Sequence, residues 1–396
     1  MMPESNIVIT CAKGIVPFLG EEILSLGLPI VSEHLSAIET KGTLEDAMRL
    51  NLHVRTGQRV LFLVEDFDAN DADELYGNVS TIAWEQLFSE KSYFCVTSTV
   101  DNPTIRDSRY ANLKCKDAIV DRFNREVGRR PDSGSDRTGV VVHLHWEGDR
   151  CRIFLDTSGE PLSRRGYRKN PLEAPMQETL AAATVLATGW NGEDHFINPM
   201  CGSGTLCIEA VMIGLHKPPG VLRNNFGFMH LKGFSEASWR ELRGRAKRET
   251  KKSLGGRIIA TDMSPNAIQA ARQNAATAGA DHLIEFGVCD YSETSIPKEG
   301  GVIVLNPPYG ERLGELKALE QLYRGIGDFF KKRCVGYRGY IFTGNLSLAK
   351  KVGLRTKRRV PFYNGEIECR LLEYELYEGS KKGKLEAESS KLKVER

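Results

Sequence analysis

A buried strand ends abruptly in the stretch Val302-Ile303-Val304-Leu305-Asn306-Pro307-Pro308-Tyr309-Gly310. Its four apolar residues, mostly β-branched, are typical of a strand inside a parallel sheet, and the Pro pair cannot continue the hydrogen-bonded ladder. Open α/β sheets bind ligands beyond the carboxyl ends of their strands. The sequence therefore predicts an α/β fold whose ligand site includes Asn306, Pro307, Pro308 and Tyr309.

The chemistry of these residues suits an exocyclic amine. The side-chain oxygen of Asn306 and the carbonyl oxygen of Pro307 can each accept a hydrogen bond from such an amine. The ring of Tyr309 offers a flat face for a base. Because Asn, Pro, Tyr and Gly are also common turn residues, a simple Pro-Pro turn is the alternative interpretation. We predict that the stretch clamps the amino group of a nucleobase.

Length and composition indicate a soluble protein of several domains. The chain has 396 residues, which is too long for one ordinary core and suggests two or three domains. Its hydrophobic content of 41% and charged content of 27% are those of soluble globular proteins. No apolar run reaches the ~20 residues that cross a bilayer, and no signal-peptide pattern is present. We expect a cytoplasmic location.

The cysteines and the charges exclude some classes of site and leave others open. The nine Cys are scattered singly without a Cys-x-x-Cys pair, so we expect reduced thiols and no metal site. The net charge is only +2, yet basic residues cluster at 164–169, 243–252, 331–333 and 350–359. Each run alone is typical of a solvated surface, whereas together they fit a protein that binds nucleic acid.

The residues up to 156 contain strands and helices but no catalytic constellation. Residues 1–58 alternate strands and helices like a small α+β unit. A helical stretch over Ser108–Val127 has a basic start, and a basic connection over 163–168 precedes the second half of the chain. We interpret the first half as a binding module and predict RNA contacts at six cations, listed here in chain order: Arg106, Arg109, Lys114, Arg164, Arg165 and Arg312.

A second motif has the order strand, tight glycine loop, helix. Its loop is Asn198-Pro199-Met200-Cys201-Gly202-Ser203-Gly204-Thr205. Gly202 and Gly204 let backbone N–H groups approach a ligand, and the N-terminus of the following helix favours a negative group. The loop lacks the nicotinamide fingerprint and the Lys of a phosphate loop, so a phosphate-rich ligand is disfavoured. We assign the cofactor site to Asn198, Pro199, Cys201, Gly202, Ser203, Gly204 and Thr205.

Two acids follow on the next two predicted strands. Asp262 is placed to accept hydrogen bonds from ribose hydroxyls, and Asp290 can take the amino group of adenine. Each acid alone could be a surface carboxylate at a turn. In succession, with Met263 and Tyr291 beside them, they describe an adenosine ligand that carries a carboxylate and no phosphates. S-adenosylmethionine fits this description.

Taken together, the chain resembles the THUMP-bearing ribosomal-RNA guanine-N2 methyltransferases of bacteria over nearly its whole length. The segments that carry the resemblance are 174–183, the Cys201–Thr205 loop, 306–313, 340–345 and 363–371. It implies a ferredoxin-like domain at 1–58, a THUMP RNA-binding domain at 59–165 and a class I S-adenosylmethionine-dependent methyltransferase domain at 166–378. Residues 379–396, mainly Lys, Glu and Ser, are predicted to be a disordered tail.

The resemblance also implies a reaction, methylation of a guanine N2 in 23S ribosomal RNA. It adds Pro175, Met176 and Thr179 to the cofactor site. One departure is Asn198, where the family usually carries an Asp that helps hold the methionine end of the cofactor. Asn can accept a hydrogen bond but brings no charge, which bears on cofactor affinity.

Other functions remain open at this stage. The same loop would serve an adenine-N6 methyltransferase, since it suits any exocyclic amine. A non-catalytic RNA-binding assembly factor is favoured only by Asn198. The long segment 217–256, with a basic helix from Ser235, is either an RNA contact or an insertion.

Overall fold

A computed structural model describes residues 3–105, 107–169, 176–309 and 316–377. The chain forms two compact units: unit 1 comprises residues 1–166 and 217–250, and unit 2 comprises residues 167–216 and 251–396. No helix in these described ranges is long and apolar enough to cross a membrane. The predicted tail at 379–396 lies outside the described residues.

Unit 1 is built on one eight-stranded sheet of order β2-β3-β1-β4-β8-β7-β5-β6. The strands are β1 (Ser5–Thr10), β2 (Ser32–His34), β3 (Ala37–Gly42), β4 (Arg59–Asp68), β5 (Tyr93–Asp101), β6 (Asp132–Ser133), β7 (Val140–Glu147) and β8 (Arg150–Asp156). The helices are α1 (Val16–Ser25), α2 (Leu44–His53), α3 (Ala72–Thr81), α4 (Trp84–Leu87) and α5 (Ser108–Val127). β4 pairs with β1 on one side and with β8 on the other, so one sheet runs through both predicted amino-terminal domains.

Local sequence explains where the helices of unit 1 begin and end. Thr43 and Asp46 form a reciprocal capping box at the start of α2, which satisfies two backbone donors there. Asp107 caps α5, and Gly128 ends it in the left-handed conformation with φ 74°. The predicted helix over Ser108–Val127 is therefore confirmed at both ends.

Unit 2 is a seven-stranded sheet of order β11-β10-β9-β12-β13-β15-β14. The strands are β9 (His195–Pro199), β10 (Ile258–Asp262), β11 (Ile284–Val288), β12 (Gly301–Leu305), β13 (Tyr337–Thr343), β14 (Arg358–Asn364) and β15 (Ile367–Glu375). The helices are α6 (Glu178–Ala187), α7 (Thr205–Gly214), α9 (Pro265–Ala278), α10 (Leu316–Arg333) and α11 (Leu346–Ala349). β9 to β13 pair in parallel and β15 is antiparallel to both of its neighbours, which confirms the predicted seven-stranded α/β fold.

Residues 217–250, which lie between α7 and β10, belong to unit 1, although our sequence division placed them within 166–378. Its helix α8 (Glu236–Glu249) presents Trp239, which packs edge-on against Phe226 and Phe228 with ring centroids 5.5 Å and 5.0 Å away. The segment joins the rest of unit 1 through backbone bonds, because the N–H of Phe228 donates to the carbonyl of Thr157 at 3.0 Å and the N–H of Lys232 to that of Leu87 at 2.8 Å. The domain boundaries drawn from the sequence remain predictions.

Helix α10 lies so close to the 3-10 turn Lys350–Val352 that it tolerates no side chain at Gly327. A Cβ atom there would lie 1.9 Å from the carbonyl oxygen of Val352. Gly327→Ala should therefore lower the free energy of unfolding by about 1–3 kcal/mol, the usual cost of overpacking. Gly77→Ala in α3 is the matched control, because a Cβ there meets no atom within 4 Å, and it should stabilise by roughly 0.5–1 kcal/mol. Urea unfolding of both variants tests this, and a Gly327→Ala protein as stable as the wild type would contradict the packing.

Candidate active site

The strand order of unit 2 creates a crevice between the carboxyl ends of β9 and β12. β9 is flanked by β10 on one side and β12 on the other, so the chain winds away from it in both directions. Crevices at such a reversal of strand order are the ligand sites of open α/β sheets. The glycine loop follows β9 and the Asn-Pro-Pro-Tyr loop follows β12, so the two predicted motifs face the same crevice.

The two glycines of the loop have different tasks. Both are left-handed, with φ 54° at Gly202 and φ 83° at Gly204. A Cβ at Gly202 would meet no described atom within 4 Å, so this glycine leaves room beside the crevice. A Cβ at Gly204 would lie 3.0 Å from Cβ of Ala271, so this glycine lets α7 and α9 pack closely. Gly202 is thus the glycine that a bound molecule can approach.

Asp262 connects the glycine loop to the start of α9. One carboxylate oxygen accepts the backbone N–H of Gly202 at 2.9 Å, and the other accepts that of Ser264 at 2.9 Å. Each oxygen keeps a further lone pair, which can accept a ribose hydroxyl. The neighbouring Met263 is 76% exposed, so an apolar surface lies next to the carboxylate. This geometry fits the predicted ribose site.

Asp290 and Tyr291 differ in their surroundings. Oδ1 of Asp290 accepts the backbone N–H of Ser292 at 2.9 Å, while Oδ2 has no donor in the described parts of the chain. The ring of Tyr291 packs edge-on against Phe329 in α10 at 5.8 Å, and burial raises its pKa. The carboxylate of Asp290 is free to take an adenine amine, whereas the side chain of Tyr291 serves the core.

Arg168 is a site residue that the sequence reasoning missed. Its guanidinium pairs with Glu178 at 3.1 Å and donates to the carbonyl of Met176 at 2.7 Å and to Oγ1 of Thr205 at 3.2 Å. It thereby holds the Met176 segment against the start of α7. We had counted it in a basic surface run, and no local signal distinguishes it from its neighbours.

Asn274 is a second missed residue. Its Oδ1 accepts the backbone N–H of Lys169 at 3.0 Å, and its Nδ2 donates to the carbonyl of Ser203 at 3.1 Å. The side chain is 1% exposed, so these bonds fix the glycine loop from within the core. A buried Asn among the alanines of α9 was the signal that could have revealed it.

The segment before α6 is partly described. Met176 and Thr179 are buried, and Oγ1 of Thr179 has no hydrogen-bond partner in the ranges that the structure describes. Such an orphaned hydroxyl beside the glycine loop is consistent with a bound polar ligand. Pro175, also predicted for the cofactor site, lies outside the described residues, as do Arg106 and Arg312.

Asn198 bridges the two strands that border the crevice. It is fully buried, and its Nδ2 donates to the carbonyl of Val304 on β12 at 2.7 Å. Its Oδ1 accepts the weak donor of Cys207 at 3.7 Å. A carboxylate has no N–H to offer a carbonyl, so the amide is the better partner for Val304 in this geometry.

The loop after β12 presents an acceptor without a partner. Oδ1 of Asn306 is shielded from solvent and has no hydrogen-bond partner among the residues that the structure describes. Pro307 is buried and Pro308 is exposed. The loop therefore combines an orphaned acceptor with the carbonyl of Pro307, as the predicted amine clamp requires.

Tyr309 is held by the segment that follows β13 and by the last residue of β14. Its hydroxyl accepts Nδ2 of Asn364 at 3.2 Å, and its carbonyl accepts Nδ2 of Asn345 at 3.3 Å. Its ring passes so close to Gly344 that a Cβ there would lie 3.2 Å from Cδ2. Asn345 also caps α11 through its Oδ1, so it fixes the loop and the helix together.

The predicted RNA cations divide into exposed and buried ones. Arg109, Lys114 and Arg164 pair with Asp107, Asp73 and Glu160 respectively, and all three pairs lie at the surface. Arg165 differs, because it is 1% exposed and donates to the carbonyls of Leu162 and Arg55. Its charge stabilises backbone groups inside unit 1, so we exclude it from the RNA contacts that we go on to propose.

Comparisons with known proteins match this architecture along the chain. Three family models match in succession: the RlmL ferredoxin-like domain at residues 6–61, the THUMP domain at 69–156 and the RMKL-like methyltransferase domain at 165–373. The last model covers more than half of the chain. The predicted resemblance and the predicted cofactor class are confirmed for the family, which is S-adenosylmethionine-dependent.

Individual proteins agree with the family models. The chain is 38% identical over 379 residues to "Ribosomal RNA large subunit methyltransferase K/L" of Syntrophotalea carbinolica, covering 93% of this chain and 53% of that protein. It is 33% identical to "Putative RNA methyltransferase slr0064" of Synechocystis sp., covering 93% of this chain and 96% of that protein. The crystal structure of SMU.472 complexed with SAH superposes with a TM-score of 0.86 at 28% identity, covering 96% of this chain and 100% of that one.

The extent of the match differs among these proteins. The chain spans about half the length of the K/L relatives that head the comparison, and nearly the full length of the Synechocystis protein and of SMU.472. The three family models and the crevice with its two loops all indicate a methyltransferase with an amino-terminal RNA-binding region. The chain belongs to the family of RMKL-like methyltransferases that carry a ferredoxin-like domain and a THUMP domain.

Proposed function

We propose that this chain transfers a methyl group from S-adenosylmethionine to the exocyclic N2 of a guanine in ribosomal RNA. The THUMP match and the names of the relatives support RNA as the substrate. The residues that fit the cofactor are those of the crevice: Met176, Thr179, Pro199, Cys201, Gly202, Ser203, Gly204, Thr205, Asp262, Met263 and Asp290. Arg109, Lys114 and Arg164 are the proposed RNA contacts of unit 1.

The observation that carries the proposal is the buried Oδ1 of Asn306, for which the described residues provide no donor. A buried acceptor without a donor costs roughly 1–3 kcal/mol, so the site gains when a ligand supplies the missing hydrogen. An exocyclic amine has two hydrogens, one for Asn306 and one for the carbonyl of Pro307. A carbonyl or methyl group at the same place would leave the acceptor unpaired, so the loop selects for an amine.

The reaction is a direct displacement. The cofactor supplies an electrophilic methyl group on its sulfonium. The guanine N2 forms the new N–C bond as the C–S bond breaks, S-adenosylhomocysteine departs, and the surplus proton leaves N2 for water. The lone pair of N2 is delocalised into the ring, which makes N2 a poor nucleophile. Hydrogen bonds from N2 to Asn306 and to the carbonyl of Pro307 localise the lone pair on nitrogen. Tyr309 fixes the plane of the base, so most of the acceleration comes from orientation and charge placement.

The base must leave its stack to reach this loop. The acceptors lie beyond the carboxyl end of β12, and Oδ1 of Asn306 is shielded from solvent. Extrusion of a single nucleotide costs a few kcal/mol and least where the base is already unpaired. A loop or a remodelled helix of ribosomal RNA is therefore the substrate that we propose.

Loss of the Asn306 side chain should abolish transfer without affecting the cofactor. In Asn306→Ala we expect methyl transfer to fall by about 10²–10³-fold, the usual effect of removing one preorganised hydrogen-bond partner of the reaction. Affinity for S-adenosylmethionine, measured by calorimetry, should stay unchanged. Asn266→Ala is the matched control, because Asn266 lies exposed on α9, and it should retain full activity.

The assay uses labelled S-adenosylmethionine and total RNA from a strain that lacks the protein, with the product digested to nucleosides. Label in N2-methylguanosine supports the proposal. Label in N6-methyladenosine would keep the amine clamp but overturn the substrate. An absence of transfer, with RNA still bound, would favour a non-catalytic assembly factor instead.

The hydroxyl of Tyr309 and the amide of Asn364 should act as one unit. Asn364 donates to that hydroxyl at 3.2 Å, so Tyr309→Phe and Asn364→Ala both remove this bond, and Tyr309→Phe also removes the hydrogen bond between the hydroxyl and Cys369. We expect each to lower kcat/KM by about 3–10-fold, corresponding to one hydrogen bond, and the double variant to lose little more. Steady-state kinetics of the four proteins test the coupling. Losses that multiply in the double variant would show that Asn364 does not position Tyr309.

The amide of Asn198 should be preferred to a carboxylate for stability. In Asn198→Asp, burial raises the pKa of the new carboxyl above its unfolded value of about 3.9, so the carboxyl keeps an O–H donor for the carbonyl of Val304 at low pH and loses it on ionisation. The variant should therefore be less stable than the wild type, with a deficit that grows from about pH 5 to about pH 8 as the folded state must ionise. Thermal unfolding at both pH values checks this, and equal stability at both would contradict the role of the amide.

A further inference from the structure

We propose that a basic groove on unit 2, the α11 groove, binds the RNA strand that flanks the target base. The groove is lined by Lys331, Lys350, Leu354, Arg355, Arg359 and Tyr374. The proposal rests on the RNA substrate proposed above and adds a second contact surface for it. The RNA cations assigned from the sequence to unit 1 are not part of this groove.

Two adjoining cavities form the groove. One has a volume of about 510 Å³ and the other about 460 Å³, and Leu354, Arg355 and Thr356 line both. The first is bordered by α11 and by Leu372 and Tyr374 of β15, and the second by the end of α10. The shared segment places the two cavities side by side next to the edge strand β14.

The groove exists because two basic runs that are distant in sequence meet in the fold. One run ends α10 at Lys331, and the other follows α11 from Lys350. The amine of Lys331 lies 3.6 Å from the Cβ position of Gly353, so the two runs touch. Each run alone resembled a solvated surface, whereas together they concentrate positive charge around a concave surface. Such a concave positive surface attracts a polyanion.

The pairing of these cations separates structural charges from available ones. Lys351 pairs with Glu320, Lys357 with Glu375 and Arg358 with Glu373. Four others of the two runs line the groove and form no ion pair with a carboxylate in the described ranges: Lys331, Lys350, Arg355 and Arg359. Because the nearby carboxylates already have partners, the groove keeps a surplus of positive charge for phosphates.

The near end of the groove adjoins the target-base loop. Leu346, which lines the larger cavity and is 45% exposed, directly follows Asn345. Asn345 donates to the carbonyl of Tyr309 at 3.3 Å. A strand whose extruded base lies against Tyr309 can therefore continue past Leu346 toward Lys350 and Arg355. This continuity favours RNA over an acidic peptide, because only a nucleic acid would place a base in the target-base loop and phosphates in the groove.

The charge of the groove can be tested by a triple substitution. We expect Lys331→Ala/Lys350→Ala/Arg355→Ala to weaken binding of in vitro transcribed large-subunit ribosomal RNA. The slope of log affinity against log salt, from about 50 mM to about 300 mM, should fall in magnitude by about 2–3, because three phosphate contacts are lost. In methyl transfer the variant should show a raised KM for RNA and an unchanged kcat at saturating RNA.

The matched control removes the same charge from exposed positions of unit 2 outside the groove. It is Arg257→Ala/Arg272→Ala/Lys298→Ala, and it should retain the wild-type slope and KM. Affinity for S-adenosylmethionine in both triple variants confirms that unit 2 is folded. If the groove variant matches the control variant, the groove proposal is overturned while the proposed function stands.

Two further results are also decisive. A groove variant that changes self-association in sedimentation, with RNA binding intact, would identify the groove as an interface between copies and overturn the proposal. If the wild-type protein itself neither binds nor methylates ribosomal RNA, the proposed function fails first and the groove proposal fails with it.

Discussion

The site depends on one buried hydrogen bond, from the amide of Asn198 to the carbonyl of Val304. The backbone pairing of β9 with β12 ends at Ile197 and Ile303. Beyond these residues the two strands lead to different loops. Without this amide, the carbonyl of Val304 would be buried without a hydrogen-bond donor. An unpaired polar group costs free energy in a low-dielectric interior. The bond closes the base of the crevice and sets the distance between the glycine loop and Asn306.

Other polar side chains fix the loops on either side of that bond. Asp262, Arg168 and Asn274 tie the glycine loop and its neighbours together, and Asn345 ties the Tyr309 loop to α11. These side chains form hydrogen bonds with the protein backbone and with other side chains. The groups that face the crevice keep spare capacity, as in the second carboxylate oxygen of Asp290. Rigid support with unspent acceptors is the arrangement that orientation-based catalysis needs.

The same physical distinction separates the charged residues. A cation whose hydrogen bonds go to buried carbonyls, such as Arg165, belongs to the core despite its place in a basic run. A cation at a concave surface without a carboxylate partner, such as Arg355, is available to an anion. Burial and ion pairing therefore decide the role of a charged residue. Neither can be inferred from a run of basic residues in the sequence.

The sequence by itself determined the parts of this protein that obey local rules. The Pro pair after Leu305, the glycines after β9 and the acids at the strand ends follow from the chemistry of single residues, so the fold class was predictable and a candidate site could be named. The tertiary structure decided what depends on distant partners. Asn198 meets Val304 across 106 residues, the N–H of Phe228 reaches the carbonyl of Thr157 in unit 1, and the amine of Lys331 lies beside Gly353. Backbone preferences act within a few residues of the chain, whereas packing and hydrogen bonding act through space. Features set by local preferences could therefore be predicted from the sequence, and contacts between distant residues could not.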